Sequence, residues 1–151
     1  MSSCPDMKLH HFGILVENIE TCPRDFVANF GYQIRSKIVH DPLQAAYVRF
    51  LALPSETTYL ELIAPDGPRS HLHNALKRAP GPNHVCFSTA DIEESLQYMS
   101  SKGAMIVRPP APAVAFRNLR IAWLMDPHCI LVELVERGSH GELDFPVVTE
   151  W

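Results

Sequence analysis

A duplicated pattern constrains this 151-residue chain more than any other feature. The segment His-Phe-Gly-Ile-Leu-Val-Glu-Asn-Ile-Glu at 11–20 is echoed by His-Val-Cys-Phe-Ser-Thr-Ala-Asp-Ile-Glu at 84–93. Asn-Phe-Gly-Tyr-Gln-Ile at 29–34 is echoed by Ser-Lys-Gly-Ala-Met-Ile at 101–106, and Tyr-Leu-Glu-Leu-Ile at 59–63 by Leu-Val-Glu-Leu-Val at 131–135. The three correspondences keep one order, at offsets of 73, 72 and 72 residues. Self-similarity at a fixed spacing means that one supersecondary unit has been used twice.

Hydrophobic periodicity says what that unit is. Apolar alternation and β-branched content predict strands over 9–16, 32–39, 46–53 and 57–64 in the first half, and over 84–89, 104–108, 119–126 and 130–136 in the second. A helix follows each leading strand. Pro23 suits a first helical turn, Phe26, Val27 and Phe30 form an apolar stripe, and Gly31 ends the helix. In the second half Asp91 and Glu94 have capping-box spacing, Ile92, Leu96 and Met99 mark the inward face, and Gly103 is the stop. The predicted fold is therefore α+β: two tandem βαβββ modules, 8–66 and 83–137, forming a curved mixed sheet around a cleft. Residues 67–82 link them through a short helix near 70–79 that Pro80-Gly81-Pro82 breaks. A tail over 138–151 shows no period, and its Phe145, Val147, Val148 and Trp151 are expected either to pack on a partner subunit or to remain loose. Pro109, Pro110 and Pro112 predict an extended loop with a strand after it.

Four residues stand out at repeat-related positions. Side chains alternate along a strand, so His11 shares a face with Gly13 and Leu15, and His84 with Cys86 and Ser88. Register assigns His10 to the other face, with Phe12, Ile14 and Val16. Glu61 and Glu133 each lie within a run of branched aliphatics, where a carboxylate is costly to bury unless it is paired or binds a metal. A single strand histidine or glutamate is ordinarily a hydrogen-bonded or solvated residue. The duplication changes that reading: each half supplies one imidazole and one carboxylate, and pseudo-twofold symmetry brings His11, Glu61, His84 and Glu133 together. Such a set suits one divalent ion of nickel, cobalt, manganese, iron or zinc, with open positions left for substrate. His71 and His73 on the linker helix are expected to be solvated.

Composition narrows the function classes. A net charge of −4 with no basic run argues against a nucleic-acid partner. No apolar run approaches the ~20 residues of a membrane helix, and 1–8 has no signal-peptide core. Cys4, Cys22, Cys86 and Cys129 form no CxxC pair, which points to reduced thiols in a cytoplasmic protein.

These residues resemble the vicinal oxygen chelate superfamily, which includes glyoxalase I, bleomycin-resistance proteins and extradiol dioxygenases. The branch most similar is that of the methylmalonyl-CoA epimerases, through Leu-His-His-Phe-Gly-Ile-Leu-Val at 9–16, Glu-Leu-Ile-Ala-Pro at 61–65, Asn-His-Val-Cys-Phe at 83–87 and Leu-Val-Glu-Leu-Val-Glu at 131–136. The resemblance implies a metal-dependent isomerase or epimerase of an acyl thioester or 2-oxo acid-like substrate, working as a homodimer. Its alternatives are a glyoxalase-type lyase acting on a thiol adduct and a non-enzymatic binding or resistance protein. It also implies a glutamate base near Leu43 and Gln44, where this chain has no carboxylate. Glu133 and Glu61 then become the candidate bases. Gln44, Arg117 and Arg120 are the candidate substrate-binding residues, the arginines for a carboxylate or phosphate. Tyr47 and Arg49 share a strand face that could line the cleft.

Overall fold

All but one of the strands predicted from apolar alternation are present as single strands in the computed structural model, which describes residues 3–138. The 139–151 segment, with the four apolar tail residues, lies outside the described residues. In chain order the elements are β1 (Met7–Leu15), α1 (Cys22–Phe30), β2 (Gln33–Ile34), β3 (Val39–Asp41), β4 (Ala46–Ala52), β5 (Tyr59–Pro65), α2 (His71–Arg78), β6 (Gly81–Thr89), α3 (Ile92–Ser101), β7 (Met105–Pro112), a 3₁₀ turn (Val114–Phe116), β8 (Arg120–Met125) and β9 (Leu131–Glu136). The strand expected over 32–39 is split into β2 and β3.

The strands join one curved mixed sheet in the order β2-β4-β5-β1-β6-β9-β8-β7, with β3 beside β4. Each half places its leading strand parallel to its last, β1 to β5 and β6 to β9. The two leading strands then meet antiparallel at the centre. The halves thus share a seam along β1 and β6.

The cores follow the same plan. One apolar cluster draws on both halves, through Leu15, Val48, Phe50 and Ile63 from the first and Ala115, Phe116, Ile121 and Val135 from the second. Two further clusters belong to one half each. Val16, Ile19, Leu60 and Leu62 lie under the α1 side, and Ile92, Leu96, Leu124 and Leu134 under α3. The shared cluster lies on the inner face and the other two on the outer.

The caps follow the sequence. Asp91 accepts the Glu94 N–H at 2.9 Å, and Gly31 ends α1 at φ 75°, a left-handed conformation that glycine adopts without steric cost. Two expectations are corrected. The proline cluster does not form a loop: Pro109, Pro110 and Pro112 lie within β7. That strand is at the margin of the sheet and its ladder with β8 is irregular between Arg108 and Ala111, a setting that tolerates missing N–H groups. The α1 stripe is only partly buried, with Phe26 packed on the outer cluster but Val27 42% and Phe30 65% exposed.

Candidate metal centre and its cavity

The sheet register builds the site symmetrically. Gly13 on β1 lies beside Glu61 of β5 and opposite His84 of β6. Cys86 on β6 lies beside Glu133 of β9 and opposite His11 of β1. Each small residue is therefore flanked by the glutamate of its own half and the histidine of the other. Four side chains from four adjacent strands converge at the seam, and all four are buried.

Their tips are close. His11 Nε2 is 3.0 Å from His84 Nε2, 3.2 Å from Glu61 Oε2 and 3.1 Å from Glu133 Oε2. His84 Nε2 is 3.3 Å from Glu61 Oε2 and 3.1 Å from Glu133 Oε2. Donors that share one first-row ion at about 2.0–2.2 Å stand about 3 Å apart, so the spacing fits a common ion. The buried Glu133 Oε2 has no hydrogen-bond donor aligned on it, which leaves room for a cation's charge. This is one possible metal site among the described residues; His10, His11 and Cys86 form a second, three-residue group that shares His11.

Electrostatics agree with that role. Burial opposes charge on His11 and His84, yet both imidazoles are held above the usual histidine range. Cys86 and Glu61 act on His11, and Glu133 and Glu61 on His84. Burial likewise opposes charge on the carboxylates, and the two histidines outweigh it, so Glu61 and Glu133 stay below the usual range. The carboxylates thus favour protonated imidazoles, and the imidazoles favour ionised carboxylates. A divalent cation can take the place of that positive charge.

Gly13 has a direct steric duty. A Cβ there would lie 2.1 Å from His84 Cε1, so any side chain would drive the ring off the cluster. Both candidate ligands are also steadied from behind. His84 Nδ1 is 3.0 Å from Asn83 Oδ1, and His11 Nδ1 is 2.7 Å from His10 Nδ1. Because Nε2 of each ring faces the cluster, Nδ1–H is the donor to the outer partner, an arrangement that fixes tautomer and ring plane. Burial and the charge on His11 push His10 down to about 3, so it accepts as a neutral ring.

That placement corrects the expectation for His10. A register shift between Leu9 and His11 in the β1–β6 ladder breaks the alternation. His10 thereby turns inward with His11, stacks on Tyr59 and meets Phe116 edge-on, while Phe12 is 47% exposed. No local sequence signal marks the bulge.

Glu61, His84 and Glu133 of the cluster line the wall of a cavity of about 250 Å3. Ala46, Val48, Ile63, Phe116 and Ile121 make much of it apolar, and Gln44, Asn83 and Trp123 add polar edges. Gln44 lines the cavity, its Oε1 accepting the Trp123 indole N–H at 3.2 Å. Leu43 is exposed. The carboxylate of this turn is Asp41, which the sequence reading passed over. Its Oδ1 accepts the N–H groups of Leu43 and Gln44, and its Oδ2 accepts that of Val114, fastening one half to the other.

The sequence of residues 10–123 matches the glyoxalase/bleomycin resistance protein/dioxygenase superfamily. The chain belongs to this superfamily. Within it, the chain is 27% identical over 134 residues to the mitochondrial methylmalonyl-CoA epimerase of Dictyostelium discoideum, covering 86% of this chain and 78% of that protein. It is 25% identical over 131 residues to an ethylmalonyl-CoA/methylmalonyl-CoA epimerase of Cereibacter sphaeroides, covering 84% of this chain and 96% of that one. The crystal structure of methylmalonyl-CoA epimerase from Mycobacterium tuberculosis superposes with a TM-score of 0.72 at 26% identity, over 87% of this chain and 89% of the other.

Other candidates from the sequence lie elsewhere in this superfamily fold. Arg120 donates to Glu136 at 2.8 Å through Nε and pairs with Glu93, and neither it nor Arg117 lines the cavity. Tyr47 and Arg49 alternate with the cavity-lining Ala46 and Val48, and Tyr47 packs on the outer cluster. His71, expected only as a solvated helix residue, stands exposed at the cavity margin beside Arg108. No helix among the described residues is long and apolar enough to cross a membrane.

Proposed function

We propose that this chain is a metal-dependent isomerase or epimerase. Its substrate is an acyl thioester or a 2-oxo acid-like molecule that presents two adjacent oxygens. The observation that carries the proposal is the convergence of the donor atoms of His11, Glu61, His84 and Glu133, the last three of which line an apolar cavity. A divalent ion held by those four residues would chelate the substrate oxygens and acidify the neighbouring C–H bond.

The residues of the chain supply the rest. Glu133 and Glu61 are the carboxylates within the cavity that can take that proton and return it. The oxygens of Asp41, the other carboxylate lining the cavity, are engaged by three backbone N–H groups. Gln44, oriented by Trp123, is placed to hydrogen-bond a substrate oxygen. The apolar wall keeps water away from the carbon while it is deprotonated. The proposal includes a homodimer in a reducing, cytoplasmic setting. The four free thiols support the compartment, and light scattering at twice the chain mass is the expected result for the dimer.

The test is deuterium wash-in. Metal-loaded protein incubated with methylmalonyl-CoA in heavy water should incorporate deuterium at C2, seen by mass spectrometry, and chelator should stop it. A protein that retains about one metal equivalent but catalyses no exchange on acyl thioesters or 2-oxo acids is not an epimerase. A second reading rests on Glu61 and on the lack of a carboxylate at Leu43 and Gln44. It is a glyoxalase-type lyase, and turnover of a hemithioacetal without exchange at C2 would select it.

A further inference from the structure

Arg108 is the one arginine that lines the cavity among the described residues. Arg120 is neutralised by Glu93 and Glu136, and Arg137 by Asp6. Arg108 lines the cavity, and no carboxylate among the described residues stands within ion-pairing distance of its guanidinium. Its partner is the Nδ1 of His71, 3.5 Å from Nη2. Burial and the arginine charge lower the proton affinity of His71, so that ring is a neutral acceptor and not a rival cation.

The backbone puts Arg108 there by breaking the strand pattern. β7 pairs Arg108 with Trp123, and the register shifts on both sides of that pair. The residues before it, Met105, Ile106 and Val107, are exposed, and Pro109 follows. The irregularity turns one half-buried arginine toward the cavity between exposed neighbours. A planar guanidinium at the edge of an apolar cavity is suited to bidentate capture of an oxyanion.

Taking the chelating role of the four ligands as given, we infer that Arg108, backed by His71, is a second recognition point for a carboxylate on the substrate's acyl unit, distinct from the two chelated oxygens. The cavity volume favours the acyl unit as the source. At about 250 Å3 it lies below the roughly 300–1,000 Å3 of pockets that enclose a drug-sized ligand, so it has room for an acyl unit beside Arg108 but not for a whole carrier nucleotide. The substrate class narrows to acids with two functional ends, one chelated and one held by the arginine.

Two 2-oxo acids of similar length isolate the effect. Both 2-oxoglutarate and 2-oxovalerate carry the chelating pair, and only the first has a distal carboxylate. Calorimetric titration of the metal-loaded wild type should show 2-oxoglutarate binding at least about tenfold more tightly. Arg108→Gln should erase that preference while 2-oxovalerate binds within about twofold of wild type. Arg108→Lys should keep part of it, as a point charge does. Equal losses for both acids in Arg108→Gln, or no preference in the wild type, overturn the inference. Inorganic phosphate displacing 2-oxoglutarate from the wild type but not diminished in affinity by Arg108→Gln supports it by placing phosphate elsewhere. Phosphate binding that depends on Arg108 and exceeds that of the distal carboxylate overturns the assignment to the acyl unit. Failure of the chelation reading looks different: the wild type retains no metal, and 2-oxovalerate does not bind.

Discussion

The two halves supply the same pair of candidate ligands from corresponding strands, yet they hold them differently. In the first half the small residue of the leading strand is Gly13, and the His84 ring occupies the space its Cβ would need. In the second half the equivalent residue is Cys86, a buried thiol close enough to His11 to affect its charge. The first half backs its histidine with another histidine on a bulge, the second with an asparagine on the same strand. The helices differ as well, since α3 buries Ile92 completely whereas α1 leaves Phe30 65% exposed. The difference teaches that pseudo-symmetry is kept where the donor atoms meet and relaxed one layer away.

The largest test of that view is a matched pair at the small positions. Gly13→Ala should abolish metal retention by displacing His84, whereas Cys86→Ala should cost less than about tenfold in affinity, since it adds no atoms. Elemental analysis and metal titration read both, with circular dichroism confirming the fold. Comparable losses from the two substitutions would mean that the asymmetry has no bearing on the site.

The helices provide the second test. Ile92→Ala should destabilise the chain by about 2–5 kcal/mol through lost burial and a cavity, and Phe30→Ser by no more than about 0.5 kcal/mol. Urea denaturation measures each. A large cost at Phe30 would show that α1 contributes a packed face after all.

Protons give the third. Both candidate ligand histidines are held protonated above the usual range, whereas Glu61 and Glu133 are held below theirs and are already charged near neutrality. An ion must therefore displace imidazole protons and no carboxylate protons. Metal affinity should fall as pH drops below the raised histidine values, by up to about a hundredfold per pH unit where both rings are protonated. A flat profile across that window would mean that the rings are neutral before the ion arrives.

The smallest effect lies behind the ligands. His10→Phe and Asn83→Leu should each weaken metal binding by about 10- to 100-fold, as loss of an outer hydrogen-bond partner does. The bulge and the buried position of His10 make its substitution the more costly of the two. An unchanged affinity in both would reduce these contacts to packing.

Much of this site was legible in the sequence because duplication turns weak signals into a pattern. Neither His11 nor Glu61 is informative alone, but their matches at His84 and Glu133 specify strand, face and partner together. The Asp91 cap and the Gly31 stop were legible for a local reason, since each acts within a few residues of its own position. What escaped depends on tertiary placement. The bulge that turns His10 inward inserts one residue into a ladder without any distinctive composition. Arg108 and Arg120 look alike in sequence, and only the sheet decides that one lines the cavity while the other meets Glu93 and Glu136. Prolines read as loop-formers until the strand containing them proves to be the last in the sheet.

That last placement bears on how copies of the chain can meet. β7 lacks backbone donors at three of its eight residues, Pro109, Pro110 and Pro112. The opposite margin is divided between the two-residue β2 and the three-residue β3. Both margins are thus poor templates for another strand, which disfavours edge-to-edge growth into fibres. A pairing of two copies is expected to use their broad faces.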